Sequence, residues 1–207
     1  MDKDERLEKL RKILREVLVL LDEDPEREGL SRTPERWAEA LLTYTQGSRE
    51  SPGEHLKTIF QLDEDDYPIG ADDMIIVDNI DFTSTCEHHM APMRGVAHIG
   101  YIPDPGSRVI TGLSKLSRVV ELFARRLQLQ ERMTQQIARS IDEHLKPLGV
   151  IAVVQAVHFC MVQRGVEQRA SVTVTTARRG AFLERPGLET KFQEYLRLRL
   201  DTWKQLS

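Results

Sequence analysis

The order in which helical and strand-like patterns follow one another is the feature that most limits the fold of this chain. Apolar residues recur at helical spacing in residues 4–21, 113–127, 133–145 and 188–206. Short β-branched or alternating runs, which favour strands, occur at residues 74–77, 95–102, 151–162 and 171–176. Because the strands come in adjacent pairs with helices between the pairs, we predict an α+β fold with an antiparallel sheet.

The first part of the chain has the pattern of a helical extension. A second helix is predicted over residues 33–46, with Thr33 as its N-cap and Pro34 in its first turn. Residues 48–73 are polar and interrupted by proline and glycine, so we interpret them as a connecting segment with a short helix near residues 55–60. The two predicted regions are an N-terminal helical region and a main domain, residues 1–72 and 73–207.

Composition and charge argue against several classes of partner. Hydrophobic residues make up 40% and charged residues 30% of the chain, which is typical of a globular domain. No apolar run reaches the roughly 18 residues of a membrane span, and the acidic start lacks the features of a secretion signal. The net charge of −4 gives no electrostatic reason to expect a nucleic acid or a membrane as partner. We therefore expect a cytoplasmic protein, whose cations must be gathered locally if its ligand is an anion.

Both cysteines of the chain lie close to histidines. Cys86 is followed by His88 and His89, and Cys160 is preceded by His158. In a reducing cytoplasm these thiols stay free, and zinc favours thiolate and imidazole ligands. Cys86 and His89 can share one ion from a turn, and Cys160 can supply a third ligand from a strand, where His158 would face the same side. Two histidines then remain as proton carriers beside an open coordination position, which is the arrangement that metal-assisted hydrolysis needs.

Three other interpretations remain open on spacing alone. A buried cysteine is commonly a packing residue. A purely structural zinc takes four protein ligands, and the fourth here would have to be His88 or His158. A cysteine and a histidine can also form a nucleophile with its base, although no further residue pattern supports this.

A glycine followed by a basic helix start predicts an anion site. Gly112 precedes the helix that carries Ser114, Lys115 and Arg118, and free N–H groups at a helix start attract phosphate. Lys115 and Arg118 lie three residues apart and therefore share one helix face. The pattern is not a Walker loop, and taken alone these cations are more typical of a solvated helix.

Two further residues carry binding chemistry. Arg164 follows Cys160 by four residues and can approach the same region. Glu131, next to Gln130 between two helices, has a carboxylate that can accept two N–H bonds, for example from the edge of a guanine base. An ordinary helix cap explains Glu131 equally well, so the residue alone leaves both roles open.

Taken together, the motifs resemble GTP cyclohydrolase I of the zinc-containing type. The resemblance covers residues 30–196, whereas the residues before them match poorly. It rests on segments in the order and spacing of that family, namely Ser84-Thr85-Cys86-Glu87-His88-His89, Gly100-Tyr101-Ile102-Pro103, Gly112-Leu113-Ser114-Lys115-Leu116, Gln130-Glu131-Arg132-Met133-Thr134-Gln135-Gln136-Ile137 and His158-Phe159-Cys160-Met161 with Arg164-Gly165-Val166.

The resemblance implies a fold, an assembly and a site. The implied fold is a tunnelling fold, an antiparallel sheet with helices packed on one side, and the implied assembly is a homodecamer of stacked rings with sites at subunit interfaces. Zinc would be bound by Cys86, His89 and Cys160, with His88 and His158 as the catalytic histidines. Guanine would be held by Glu131 with Gln130 beside it. The residues implied for ribose and triphosphate are Ser114, Lys115, Arg118 and Arg164, with Arg36 from a neighbouring subunit.

The implied reaction is hydrolysis of the imidazole ring of GTP at C8 by zinc-activated water. It releases formate and gives 7,8-dihydroneopterin triphosphate, the first step of folate and pterin biosynthesis. One alternative is a zinc nucleobase deaminase, whose His-x-Glu and Pro-Cys-x-x-Cys patterns do not occur here. Another is a non-catalytic pterin-binding protein with a structural zinc, which would leave no open coordination position.

Overall fold

The computed structural model describes residues 1–65, 68–70 and 72–206, and for residues 199–206 it describes the backbone alone. The chain forms two compact units, Met1–Gln46 and Gly47–Ser207. Residues 47–72, assigned above to the N-terminal region, fall in the second of these units. The division into domains at residues 72 and 73 stays a prediction.

Two helices make up most of the first unit. α1 spans Lys3–Leu20, where the Asp2 side chain accepts a hydrogen bond from the Glu5 backbone N–H, and α2 spans Thr33–Tyr44. The expected N-cap was wrong by one residue, because the Arg36 N–H already bonds to the Arg32 carbonyl and so begins the helix there. Pro34 lies in the first turn of α2, as predicted.

The second unit alternates strands and helices as the sequence predicted, with several additions. A 3₁₀ turn, Gln46–Arg49, leads into it. The other elements, in chain order, are α3 (Pro52–His55), β1 (Ile59–Gln61), β2 (Ile75–Cys86), β3 (Pro92–Ile102), β4 (Val109–Thr111), α4 (Leu113–Ala124), β5 (Leu127–Gln128), α5 (Gln130–Leu145), β6 (Gly149–His158), α6 (Phe159–Val162), β7 (Thr173–Gly180), α7 (Ala181–Glu184) and α8 (Pro186–Leu206). The short helix expected at residues 55–60 instead lies at Pro52–His55, and Ile59–Gln61 pairs with Val109–Thr111.

The main sheet has the strand order β5-β2-β3-β6-β7. All of its pairs are antiparallel except the short β5, which runs parallel to β2. This confirms the predicted α+β class. β2 is much longer than the run expected from sequence, because a bulge between Val77 and Ile80 places Asn79 at a φ of 52° and interrupts the two-residue alternation.

The core lies mainly between α4, α5 and one face of this sheet. Ala97, Ile99 and Tyr101 of β3 are fully buried there together with apolar residues of both helices. The opposite face is covered at one end by α7 and α8, where Phe192 packs so closely that a Cβ at Gly100 would lie 2.9 Å from its ring. The helices packed on one side were predicted, and α8 confirms the helix expected at the C-terminal end.

One predicted strand ends earlier than expected. β6 stops at His158, and the next residues form the single helical turn α6. Cys160 therefore lies on a helical turn, and the expectation that it projects from a strand was wrong. Among the described residues, no helix combines the length and apolar character that crossing a lipid bilayer requires.

Candidate metal centre and active site

The topology of the sheet brings the two histidine-cysteine segments to one edge. β2 and β6 both flank β3 and run antiparallel to it, so they point in the same direction. Their last residues, Cys86 and His158, lie beside the start of β3, where Met93 pairs with His158. The parallel strand β5 ends at the same edge and leads directly into α5. Segments far apart in sequence therefore meet where three strands end.

A tight turn after β2 presents the first pair of candidate ligands. The Cys86 N–H donates to the Ala91 carbonyl at 2.8 Å, and the Met90 N–H donates to the Cys86 carbonyl at 2.9 Å. Met90 adopts a φ of 54°, which lets the chain reverse within a few residues. His88 and His89 project from this turn with ring centroids 6.1 Å apart and planes nearly perpendicular.

The same turn is attached to α5 by an ion pair that the sequence did not reveal. Arg132 pairs with the Glu87 carboxylate and also donates to the Leu127 carbonyl at 3.2 Å. This pairing lowers the pKa of Glu87, with the Arg132 hydrogen bond as the main cause. Arg132 stands in one of the family-like motifs, but nothing in its sequence position identifies Glu87 as its partner.

Cys86, His89 and Cys160 converge on one point. One ligand atom from each of them lies within 4.8 Å of the other two. Cys86 is buried, Cys160 is partly buried and His89 is exposed, so the group opens to solvent on the His89 side. With zinc–sulfur bonds of about 2.3 Å and zinc–nitrogen bonds of about 2.0–2.1 Å, such spacing suits a tetrahedral ion with small adjustments. The donor set and its spacing therefore fit a zinc ion held by three protein ligands.

The two thiols lie close enough to influence each other. Burial raises the pKa of Cys160, and the neighbouring Cys86 raises it further, while Arg164 acts in the opposite direction. Two thiolates side by side repel one another, and a divalent cation between them offsets that repulsion. The helical turn of α6, rather than strand alternation, is what brings Cys160 to this place.

A hydrogen bond to α5 holds the His158 side chain beside the cluster. Its Nε2 lies 2.7 Å from Oε1 of Gln130, the first residue of α5. Burial lowers the pKa of His158, whereas the nearby Glu131 carboxylate raises it. Partial burial thus favours the neutral ring, and Glu131 favours the protonated one. Two threonines beside Gln130 were given no role from sequence: Thr134 lies one turn further along α5, and Thr175 lies on β7, far along the chain.

Four expected cations have no ion-pair partner among the residues that the structure describes. Lys115 and Arg118 lie in the first two turns of α4 behind Gly112, and Ser114 is exposed beside them. Arg164 lies in the loop after α6, close enough to Cys160 to lower its pKa. Within the described residues, none of Lys115, Arg118 and Arg164 forms an ion pair, and neither does Arg36 on α2 of the first unit. Arg164 thus lies near the candidate ligand Cys160, whereas Lys115 and Arg118 lie on a separate element, α4.

The chain is similar to a known protein family and to several known proteins. A family model described as GTP cyclohydrolase I matches residues 10–197, which begins earlier than the resemblance seen in the sequence. A curated protein from Porphyromonas gingivalis, named GTP cyclohydrolase 1, is 49% identical over 198 residues and covers 96% of each chain. A protein of the same name from Bacteroides fragilis is 52% identical over 177 residues, covering 85% of this chain and 86% of its own. Among solved structures, the archaeosine synthase QueF-Like in its apo form is similar with a TM-score of 0.43 and 13% identity over 52% of this chain and 94% of its own.

Proposed function

The chain belongs to the GTP cyclohydrolase I family, and we propose that it hydrolyses the imidazole ring of GTP at C8 to give formate and 7,8-dihydroneopterin triphosphate. The observation that carries this proposal is the convergence of Cys86, His89 and Cys160 within 4.8 Å. His158 stands two residues from Cys160, and Glu131 acts on it electrostatically, so metal ligands, a proton carrier and a base-binding carboxylate are neighbours.

The metal fits the chemistry that the reaction requires. Zinc held by Cys86, His89 and Cys160 supplies Lewis-acid activation of water, whose pKa falls to about 7 in catalytic sites of this kind. With only three protein ligands, a zinc ion bound there would have room for a water molecule. That the metal is zinc is proposed together with the activity.

His158 and His88 are the proposed proton carriers. C8 becomes open to attack by water once N7 of the guanine is protonated, and His158 is assigned that proton transfer. His88 projects from the same turn as the ligand His89 and is assigned the transfers during ring opening. General acid–base catalysis by positioned side chains of this kind contributes about 10²–10⁴-fold to a rate.

Glu131 is the proposed anchor for the guanine. Its side chain is exposed at the start of α5, beside Gln130 and near His158. A carboxylate accepts the two adjacent N–H groups of the guanine edge, a pattern that adenine does not present. Binding there would hold the imidazole part of the base toward the histidine.

The unpaired cations are the proposed triphosphate site. Lys115, Arg118 and Arg164, with Ser114, would bind the phosphates and ribose, and Arg36 would join them from a neighbouring subunit. The triphosphate is not cleaved, so its binding energy serves to position the base. Because no carboxylate of the described residues pairs with these cations, their positive charge is available to the triphosphate.

The proposed reaction balances with a net uptake of one water. One water adds at C8 and opens the ring, and a second releases C8 as formate. The freed sugar rearranges and the pyrazine ring closes with loss of one water. The product therefore keeps all three phosphates of GTP.

We also propose how the chain assembles and where in the cell it acts. We take the active form to be a homodecamer with sites at subunit interfaces and the location to be the cytoplasm, where thiols stay reduced. The edge strand β7 presents Val174, which is 57% exposed, next to the exposed Val172. Exposed apolar residues on a free strand edge favour pairing with another chain.

The decisive experiment is to incubate the zinc-loaded protein with GTP and to measure formate together with pterin absorbance. We expect equal amounts of both, no release of phosphate, and no reaction with ATP. Ammonia in place of formate would indicate a deaminase. Tight zinc without any turnover would indicate a structural metal.

Replacing Glu131 by alanine is expected to weaken GTP binding about 10–100-fold, because hydrogen bonds to a charged group contribute about 1.5–3 kcal/mol. The side chain is exposed, so the melting temperature should hardly change. Isothermal titration with GTP checks this, and Glu143→Ala, an exposed carboxylate on the same helix, is the matched control. Equal GTP affinities of the two variants would remove Glu131 from the base site.

A further inference from the structure

The Gln130 side chain is a buried amide whose hydrogen bonds all go to protein groups. Only 1% of the residue is exposed. Its Nε2 lies 3.0 Å from the Val154 carbonyl, 3.0 Å from the Thr173 carbonyl and 3.1 Å from the Thr175 hydroxyl. Its Oε1 lies 2.7 Å from His158 Nε2. The two amide protons and the oxygen are therefore already used, although the residue stands next to the guanine-binding candidate Glu131.

The surroundings determine which way this amide points. Backbone carbonyls only accept hydrogen bonds, so the NH₂ end must face Val154 and Thr173. A flipped amide would set its oxygen against two carbonyl oxygens in the protein interior. The orientation thus follows from the hydrogen-bond network and does not depend on telling nitrogen from oxygen by shape.

Thr134 bonds to the backbone of Gln130, and Thr175 contacts both the Gln130 side chain and Thr134. The Thr134 hydroxyl is fully buried and donates to the Gln130 carbonyl at 2.8 Å. Since its proton is used there, it accepts from the Thr175 hydroxyl, which is 2.6 Å away. α5 and β7 are linked at this point, so the amide is anchored at both its backbone and its side chain.

The amide orientation in turn determines the tautomer of His158. An amide oxygen can only accept, so His158 Nε2 must carry a hydrogen. Neutral imidazole has one N–H, which leaves Nδ1 as the bare nitrogen. Nδ1 makes no hydrogen bond to any residue that the structure describes. A proton that His158 gains or gives up is therefore carried on Nδ1.

We infer that Gln130 is a positioning residue, which locks His158 in the Nε2–H tautomer and makes Nδ1 the atom that transfers the proton to guanine. In this assignment Gln130 acts on the reaction through His158 and does not itself bind the base. The inference rests on the proposed function, because it takes His158 as the proton carrier for GTP. Without the amide, the neutral ring would exchange between two tautomers and rotate between two orientations.

The tautomer can be measured without any turnover. The chain has six histidines, so magic-angle-spinning NMR of zinc-loaded protein labelled with ¹⁵N-histidine can resolve them, with a His158→Asn variant to assign the signal. At a pH of about 8, where histidine is neutral, we expect protonated Nε2 and bare Nδ1. Protonated Nδ1, or an even mixture of the two forms, overturns the inference.

A substitution at Gln130 separates positioning from guanine binding. Gln130→Met keeps the length of the side chain and removes the acceptor, so we expect mixed tautomers and a fall in kcat of about 10–100-fold with KM for GTP unchanged. A raised KM with unchanged kcat and an unchanged tautomer would instead place Gln130 against the base and overturn the inference.

A matched control separates this effect from loss of stability. Gln128 is also 1% exposed and uses its amide within the protein, donating to the Phe123 carbonyl and accepting from Arg132. Gln128→Met should lower the melting temperature comparably while leaving the His158 tautomer unchanged. A changed tautomer in this variant contradicts the inference. Formate release by the wild-type protein tests the proposed function, so its failure is distinguishable from a wrong tautomer.

Discussion

Cys160→Ser is expected to release the metal and to reduce formate production about 10³-fold or more. Serine keeps its hydroxyl proton at neutral pH, so the variant lacks the thiolate that zinc prefers. Two ligands, Cys86 and His89, would remain, and a two-ligand site holds zinc weakly. Several kcal/mol of transition-state stabilisation are lost with the ion, which corresponds to the expected fall in rate.

Metal content measured by mass spectrometry, together with a formate assay, checks this result. The matched control is Met161→Leu, which changes the neighbouring residue on the same helical turn without touching a candidate ligand. One zinc per chain in purified Cys160→Ser, after dialysis, would remove Cys160 from the ligand set. The control should keep both the metal and the activity.

His158→Ala is expected to reduce kcat about 10²–10⁴-fold, because the proposed proton carrier is removed while the ligands stay. The ring is partly buried and bonded to Gln130, so a moderate loss of stability accompanies the change. Zinc content should remain stoichiometric and GTP should still bind, since neither the three ligands nor Glu131 is altered. A fall in kcat with bound metal and bound GTP distinguishes proton transfer from assembly of the site.

Single-turnover measurements of formate release, with zinc analysis on the same samples, check the second prediction. His144→Ala is the control, because His144 is an exposed histidine near the end of α5 whose Nδ1 bonds to the Ser140 carbonyl. If His158→Ala releases formate at a rate close to that of the control, His158 does not carry the proton.

The sequence was enough to name three candidate ligands that the structure brings together, but not the way in which they meet. Cys86 and His89 share one turn, so their spacing was enough to pair them. Cys160 was expected on a strand that turned out to end at His158, because a run of apolar residues fits a strand and a helical turn equally well. The candidate ligands are the same three residues whether Cys160 lies on a strand or on a helical turn. What differs is that the turn α6, and not strand alternation, brings Cys160 to the other two.

Short or irregular elements were the parts of the fold that sequence patterns missed. β5 has two residues, too few to show any periodicity, and it forms only by pairing with the end of β2. β1 depends in the same way on β4, a partner that lies far along the chain. The bulge at Asn79 hid most of β2, since one extra residue reverses the alternation on which strand prediction depends.

The sequence by itself determined the residue types that can hold a metal, carry a proton and bind an anion, and also the order of the main helices and strands. Both the residue types and the element order depend on side-chain chemistry and local periodicity, and short stretches of the chain contain that information. Only the tertiary structure decided that β2, β5 and β6 end at one edge of the sheet, and that Gln130 faces His158 instead of solvent. Such contacts join residues that are distant in sequence. Their geometry depends on strand register and core packing, which no single segment of the chain determines.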